Sequence, residues 1–469
     1  MQIFASAVVR FGILYLLLLA GCSPATHRPL APFDMPETFS QQGARTLAAD
    51  WWSDFHDPRL SRLIDQALRN NFTLQIARDR LLEAQAVARQ TGALLQPTLD
   101  ARGSTTSVGN TATDSTRSTF LLGLAASYEL DLWGGLRSRQ EAATLETQAT
   151  EADFHIASIT LAAEVARIWF LMAETTAQLA LLDEQKSTNG KILELITVQF
   201  RSGRVQIADV LQQRQLIESN NGDVAGFQAD LRILQHQLAI LLGSAPGTTA
   251  LPSVTELPDL PPLPDLGIPL DLLVERPDIR SRYMSLLAAD QLVAAAVTDR
   301  LPRLSISADL ATSGERSRDL FSNWLSTLAA NLFAPLLDGG LRQAEVERNQ
   351  AVARQQLSRY GQTVLAAIGE VEDSLVFEKG RLSLLKSLEI RRKLAEETIE
   401  HVGTRYRQGA EDYQRVLLAL LSHQGLQRSI LSTRRQLIDN RILLYRALSG
   451  RLPTTEPTFS EHIPRGMKP

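Results

Sequence analysis

The chain carries one structural plan twice, and any fold it adopts must accommodate that repetition. Pro97 lines up with Pro302, and Gly134-Gly135-Leu136-Arg137 with Gly339-Gly340-Leu341-Arg342, both at an offset of 205 residues. Phe200-Arg201-Ser202-Gly203 matches Tyr406-Arg407-Gln408-Gly409 at 206, and Leu242-Gly243 matches Ser449-Gly450 at 207. Landmarks that keep their order and spacing over so long a unit indicate duplication of a whole structural half, not a solenoid of short repeats.

Each half reads the same way. A helical stretch from about Leu60 to Leu95 stops at Pro97. An alternating segment follows, with Phe120, Leu122, Leu124, Ala126, Tyr128 and Leu130 on one face and Gly123, Ala125, Ser127, Glu129 and Asp131 on the other, as in a strand. In the second half Leu304, Ile306, Ala308 and Leu310 alternate with Arg303, Ser305, Ser307 and Asp309, and a less sorted run covers Trp324 to Phe333. Two strands per half, of about 10 residues, suit a tilted transmembrane β-strand. Polar loops are expected at Gly103 to Arg117 and Gly314 to Asn323. Four strands cannot close a barrel, and open edges in lipid leave backbone groups unpaired at several kcal/mol each, so several chains must share one barrel.

Long helices follow the strands. Leu136 to Arg201 contains no proline, and at 1.5 Å per residue it would reach roughly 100 Å. Leu161, Val165, Ile168, Met172, Thr175, Leu179, Leu182, Lys186, Asn189, Leu193, Ile196 and Phe200 follow a coiled-coil spacing, as do Val364, Ile368, Val371, Leu375, Glu378, Leu382 and Leu385. Gly203 and Gly409 mark reversals, where glycine serves as a left-handed cap. Returning helices are expected from about Ile207 to Leu242 and from Tyr413 to Leu448. Between the halves, Pro246 to Pro269 holds seven prolines, so it should be extended and run along the outside of the body.

The first 22 residues form a separate device. Arg10 precedes the apolar run Phe11 to Leu19, too short to span a bilayer and of the length of a secretory signal core. It ends in Leu19-Ala20-Gly21-Cys22, which resembles a bacterial lipobox and implies a diacylglycerol and palmitate on Cys22; Ser23 after it implies the outer membrane by the same analogy. Cys22 is the single cysteine, which excludes an internal disulfide. A net charge of −4 with interspersed signs offers no basic field for nucleic acid. The seven histidines form no HExxH pair, and no phosphate loop or GxSxG elbow is present, so neither an enzyme nor a resident metal is expected.

These readings divide the chain into a signal peptide (1–21), an extended lipidated segment (22–50), a first repeat (51–245, strand pair 98–131, hairpin 136–243), a Pro-rich linker (246–269), a second repeat (270–450, strand pair 303–335, hairpin 341–449) and a tail (451–469). Trp51-Trp52-x-x-Phe55-x-Asp57-Pro58, Leu130-Asp131-Leu132-Trp133-Gly134, Glu275-Arg276-Pro277-Asp278 and Leu337-Asp338-Gly339-Gly340, in this order, resemble the TolC-type outer-membrane factors, in particular the lipoprotein subgroup serving resistance-nodulation-division efflux pumps. The resemblance implies a mostly α protomer with four strands, trimerising into a 12-stranded transmembrane barrel and a periplasmic α-helical barrel. It implies a passive duct that exports drugs or other small molecules, fed by an inner-membrane pump through a periplasmic adaptor. Gly203, Gln206, Asp209, Gly409, Glu411, Tyr413, Arg415 and Leu418 are then candidates for gate and adaptor docking at the tip.

The tip also departs from the family pattern. Arg415 and Leu418 stand where many relatives carry acidic residues, so an ion pair between Asp209 and Arg415 is one way to hold the tip shut, and plain solvation is the other. Tyr406 and Tyr413 are read as packing residues. Two other functions remain open from sequence: the outlet of an ATP-driven protein secretion system, and a structural coiled-coil lipoprotein tether.

Overall fold

The computed structural model describes residues 32–43, 48, 50–110, 115–248, 252–254 and 256–449; Cys22, the signal peptide and the tail 451–469 lie outside the described residues. The main elements are α1 (Pro58–Asn70), α2 (Phe72–Ala93), β1 (Thr98–Asn110), β2 (Ser115–Leu130), α3 (Gly135–Arg201), α4 (Ile207–Leu241), α5 (Pro277–Thr298), β3 (Arg303–Gly314), β4 (Trp324–Phe333), α6 (Leu341–Arg407) and α7 (Tyr413–Leu448), with short helical turns at Trp51–Phe55, Leu272–Glu275 and Ser317–Asp319. The chain is mostly helical, with α3 and α6 of 67 residues each.

The strands form one antiparallel sheet in the order β1-β2-β3-β4, so the two halves join at β2 and β3. Leu124 faces Leu310, Ala126 faces Ala308 and Tyr128 faces Ile306, which puts the alternating apolar residues of both strands on one face. Leu99 extends that face on β1, and Leu328 and Leu332 on β4. It is uncovered within the chain: Leu328 is 79% exposed. The segment expected as a loop from Gly103 to Arg117 is instead mostly strand, β1 running to Asn110 and β2 starting at Ser115. Thr106 pairs with Thr119, and the Ser107 and Ser118 hydroxyls lie 3.2 Å apart. Polarity there marks a different environment, not an absence of pairing.

Glycine and aspartate turn each strand pair into its helix. Gly134 (φ 78°) and Gly340 (φ 86°) adopt the left-handed backbone that disfavours side chains. Asp131 accepts the Leu136 and Arg137 amides at 3.0 Å, and Asp338 accepts those of Gly340 (3.1 Å) and Arg342 (3.3 Å). These carboxylates satisfy orphan donors at a positive helix end. Trp133 Nε1 donates to the Pro302 carbonyl at 2.7 Å, tying the first elbow to the start of β3.

The helix expected from Leu60 to Leu95 is two helices, broken at Asn71. Asn71 is extended, accepts the Leu74 amide at 3.1 Å and donates from Nδ2 to the Leu241 carbonyl at 3.0 Å, where α4 ends. Arg276 occupies the equivalent place before α5. Its Nη1 donates to the Ala447 carbonyl at 3.1 Å, where α7 ends, and its other nitrogens hold Asp278 (2.7 Å) and Glu370 (3.0 Å). In both halves, therefore, the residue opening the strand-bearing helix grips the last turn of the returning helix.

Two cores lie around these grips. Trp51, Trp52, Phe55, Leu60 and Ile64 pack on Ile159 to Ala173 of α3 and on Ile442 and Tyr445 of α7. Phe39, Leu266, Leu272, Ile279 and Tyr360 pack on Val364 to Leu375 of α6. One window of α3 is apolar enough to cross a membrane by composition, and 67% of it is buried in the chain; this core accounts for its apolarity. The Pro-rich linker does not simply pass outside. Val254 and Leu266 enter the two cores, and the buried Arg441, paired with Glu378 at 2.7 Å, donates to the carbonyls of Pro261 and Pro262. Residues 39–43 are docked as well, Ser40 N donating to Glu372 at 2.9 Å.

The helical seam differs from the apolar count. Thr175, Leu182, Asn189 and Ile196 are buried as expected, but the positions between them are Gln178 and Gln185, not Leu179 and Lys186; Lys186 and Phe200 are exposed. Gln178 Nε2 reaches the Arg428 carbonyl (3.1 Å) and Gln185 Nε2 reaches Gln427 Oε1 (3.1 Å), so their amide nitrogens are paired across helices, while both side-chain oxygens are buried without a partner. Leu382 of α6 is likewise exposed, while the charged seam residue Glu378 is explained by Arg441.

Removing a grip should cost stability in proportion to the charge left behind. Arg276→Ala is expected to lower the unfolding free energy by about 2–3 kcal/mol and Asn71→Ala by about 1–2 kcal/mol, read as shifts in the denaturant midpoint of the solubilised protein.

Candidate functional site

The end of the helices farthest from the sheet is built from two reversals. Gly203 (φ 72°) and Gly409 (φ 74°) end α3 and α6 in the left-handed conformation. Arg204 N donates to the Gln199 carbonyl and Gly203 N to Phe200, and Ala410 N donates to Arg405 and Gly409 N to Tyr406, all at 2.9 Å. This paired hydrogen bonding closes a helix around a glycine cap. A Cβ on either glycine would meet nothing within 4 Å, so only the backbone conformation requires glycine there.

The next helices start with side-chain caps. The Gln206 amide donates to Asp209 at 3.1 Å at the start of α4, and the Arg415 amide donates to Asp412 at 3.1 Å at the start of α7. Glu411 lies between two guanidiniums, 3.2 Å from Arg405 and 3.3 Å from Arg415. The Asp209–Arg415 pair considered from sequence is thus not formed in this chain: Arg415 turns to Glu411, one helical turn back, and Asp209 caps its own helix. Arg415 keeps 67% of its side chain exposed, so its pair contributes little to stability. Leu418, one turn further, is also exposed.

What joins the two reversals is an aromatic and amide column. Ile196, Val210, Tyr413 and Leu417 form a small core with Tyr406 against it. The Tyr406 and Tyr413 rings lie 5.9 Å apart at 60°. Tyr406 Oη donates to Gln199 Oε1 at the end of α3, and Tyr413 Oη to Gln213 Oε1 on α4, linking the second hairpin to the first. Gln213 Nε2 continues to the Asn189 carbonyl (2.8 Å), and Gln424 Nε2 to Asn189 Oδ1 (3.1 Å). Of these, the seam spacing picks out Asn189 alone; Gln199, Gln213 and Gln424 are not marked by it. Their signal was amide side chains at seam spacing, which an apolar count passes over.

Burial, with the Asp209 charge adding to it, raises the Tyr406 hydroxyl above its ordinary range. Burial raises Tyr413 further, followed by Tyr406 and Asp209. Both hydroxyls therefore stay protonated and able to donate. The remaining motif residues lie elsewhere. Trp51 and Trp52 are in the first core, and Asp57, preceding Pro58 at the start of α1, accepts from Trp169 Nε1 at 3.0 Å. Trp133, Gly134, Gly339 and Gly340 form the elbows, and Arg276, Pro277 and Asp278 the second grip. Among the described residues no cluster of side chains could hold a metal ion.

The outer membrane efflux protein family matches residues 63–244 and 268–450. Cation efflux system protein CusC of Escherichia coli O6:H1 is 30% identical over 451 residues, covering 92% of this chain and 96% of the relative. The probable outer membrane lipoprotein SilC of Salmonella typhimurium is 28% identical over 451 residues, covering 93% and 97%. A crystal structure of CusC superimposes with a TM-score of 0.84 at 28% identity, covering 91% of this chain and 99% of that one.

A raised tyrosine pKa has a defined pH sign. The folded form holds the Tyr413 proton more tightly than the unfolded chain, so this contribution is full below pH 10 and is lost as the pH rises above it. Hydrogen exchange at Gln206 to Val210 is expected to accelerate above pH 10 beyond the intrinsic rate. Tyr413→Phe is expected to accelerate it at neutral pH, by the roughly 1–3 kcal/mol of an unpaired buried acceptor, and to weaken the alkaline dependence to the part contributed by Tyr406.

Proposed function

Because this chain belongs to the outer membrane efflux protein family, we propose that three copies assemble into the exit duct of a tripartite efflux system, with the reversals as its periplasmic gate. The chain is an outer-membrane efflux channel protein, as its relatives are. The observation that carries the trimeric duct is the sheet: four strands, an uncovered apolar face, and β1 and β4 each paired on one side only among the described residues. Lipid tolerates no such edges, and bacterial barrels have even strand numbers from 8 upwards. Three copies supply twelve strands in the arrangement that the motif resemblance implies.

No reaction is needed for this role. Solute moves down a path opened at the tip, with transport energy supplied by an inner-membrane pump of the resistance-nodulation-division class and transmitted by a periplasmic adaptor. The Tyr406 and Tyr413 hydroxyls, bonded across hairpins, hold the tip closed, and docking of the adaptor on the exposed surface around Gln206, Glu411 and Leu418 competes with those bonds. Acylation of Cys22 anchors the chain additionally in the inner leaflet, and the relative described as an outer membrane lipoprotein supports that assignment.

Photo-crosslinking groups at Gln206 and Glu411 should capture a periplasmic adaptor of an efflux pump in living cells. Capture of an adaptor from an ATP-driven secretion system would retain the duct and change its cargo, and protection of both positions with no adaptor captured would favour a structural tether. Mass spectrometry of the mature amino terminus should show a triacylated Cys22, absent in Cys22→Ser.

A further inference from the structure

The polar face of the sheet contains an ion pair that spans three strands. In register, Asp100 of β1 faces Ala125 of β2, which faces Asp309 of β3, which faces Thr327 of β4. This row lies on the face opposite Leu124, Tyr128 and Leu328, and with the apolar face toward lipid it lines the lumen. Arg102, two residues from Asp100 on the same face, sits directly opposite Gly123. Its Nη2 lies 2.5 Å from Asp309 Oδ1, on the strand beyond. The guanidinium therefore crosses β2 at the one position in that stretch without a side chain. Gly123 is buried, and a Cβ there would come within 2.8 Å of the Leu310 carbonyl oxygen and 2.9 Å of Ala311 Cβ.

Asp100 is exposed and, among the described residues, has neither a hydrogen bond nor an ion pair. Each chain thus presents two carboxylates and one guanidinium at this level, an excess of one negative charge. About four residues along β2 toward the helices, Glu129 faces Ser305 on the same side and adds another carboxylate. In a closed barrel every copy contributes the same row, so the excess becomes a ring. Screening acts over about 8 Å at physiological ionic strength, a distance over which such a ring acts on solutes passing near the wall.

We propose that Asp100, together with the Arg102–Asp309 pair laid across β2 at Gly123, makes the barrel lumen favour cations over anions, with Arg102 as the group that moderates the preference. The proposal rests on the duct reading and adds to it a determinant of what charge passes most readily. It is separate from the tip, where Glu411 is held between Arg405 and Arg415.

The test is the reversal potential of the purified, assembled full-length protein in planar bilayers under a KCl gradient. Wild type is expected to favour potassium over chloride. Asp100→Asn, which breaks no contact, should lower the permeability ratio about sixfold before ionic screening, because one unit charge acting at about 8 Å through water shifts cation and anion in opposite directions. Arg102→Gln should raise it by freeing Asp309, and adding Asp309→Asn to Arg102→Gln should bring it down again. A wild-type preference for chloride, or a ratio unchanged by Asp100→Asn in assembled protein, overturns the proposal and places charge selection elsewhere along the tube. Absence of any conductance in the wild type and all variants would count against the duct itself and so remove the basis of the proposal.

Discussion

Unpaired backbone at the edges of a β-sheet is the constraint on which this architecture depends. A single chain satisfies its interior strands, since β2 and β3 are bonded on both sides, and among the described residues leaves β1 and β4 each with an open edge. In water such edges can be solvated; in hydrocarbon they cannot. Among the described residues no further strand pairs with either edge, and β2 and β4 lead through the elbows at Gly134 and Gly340 into helices. Assembly is therefore a condition of the strands being in the membrane at all.

The duplication is most informative where the copies reach one end by different chemistry. Asn71 and Arg276 occupy equivalent places and both grasp the last turn of a returning helix, one through a neutral amide and the other through a guanidinium shared with Asp278 and Glu370. What the two halves retain is the need to satisfy carbonyls at a helix end, not the residue that does so. The tip shows the same division: both reversals use the same glycine-centred bonding, yet the following helices are capped by Asp209 in one and Asp412 in the other.

Much of this was legible in the chain because it depends on local rules. Alternation along Phe120 to Leu130 and Leu304 to Leu310 anticipated the apolar face, and glycines at fixed offsets anticipated both reversals. What was missed depends on partners distant in sequence. Asn71 looked like one polar residue in a helix because Leu241, the group it serves, is far along the chain. An apolar count selects Leu179 and Lys186 over Gln178 and Gln185, because it does not credit a buried amide whose partner lies on another helix. Arg441, which holds the Pro-rich linker by its carbonyls, is indistinguishable in sequence from a solvated helix residue. Within the chain the Asp209–Arg415 pair does not form for the opposite reason: each residue has a nearer partner on its own helix turn.

The pairing of β2 with β3 also governs how such a protein can be made. Leu130 meets Leu304, and the whole of the first helical hairpin lies between them. Contacts closed over so long a loop form slowly, so one edge of β2 stays unsatisfied until the second half has been synthesised and exported. The first half on its own is an adhesive two-stranded ribbon on a long coiled coil, and a cell producing this chain must shield that ribbon during passage through the periplasm.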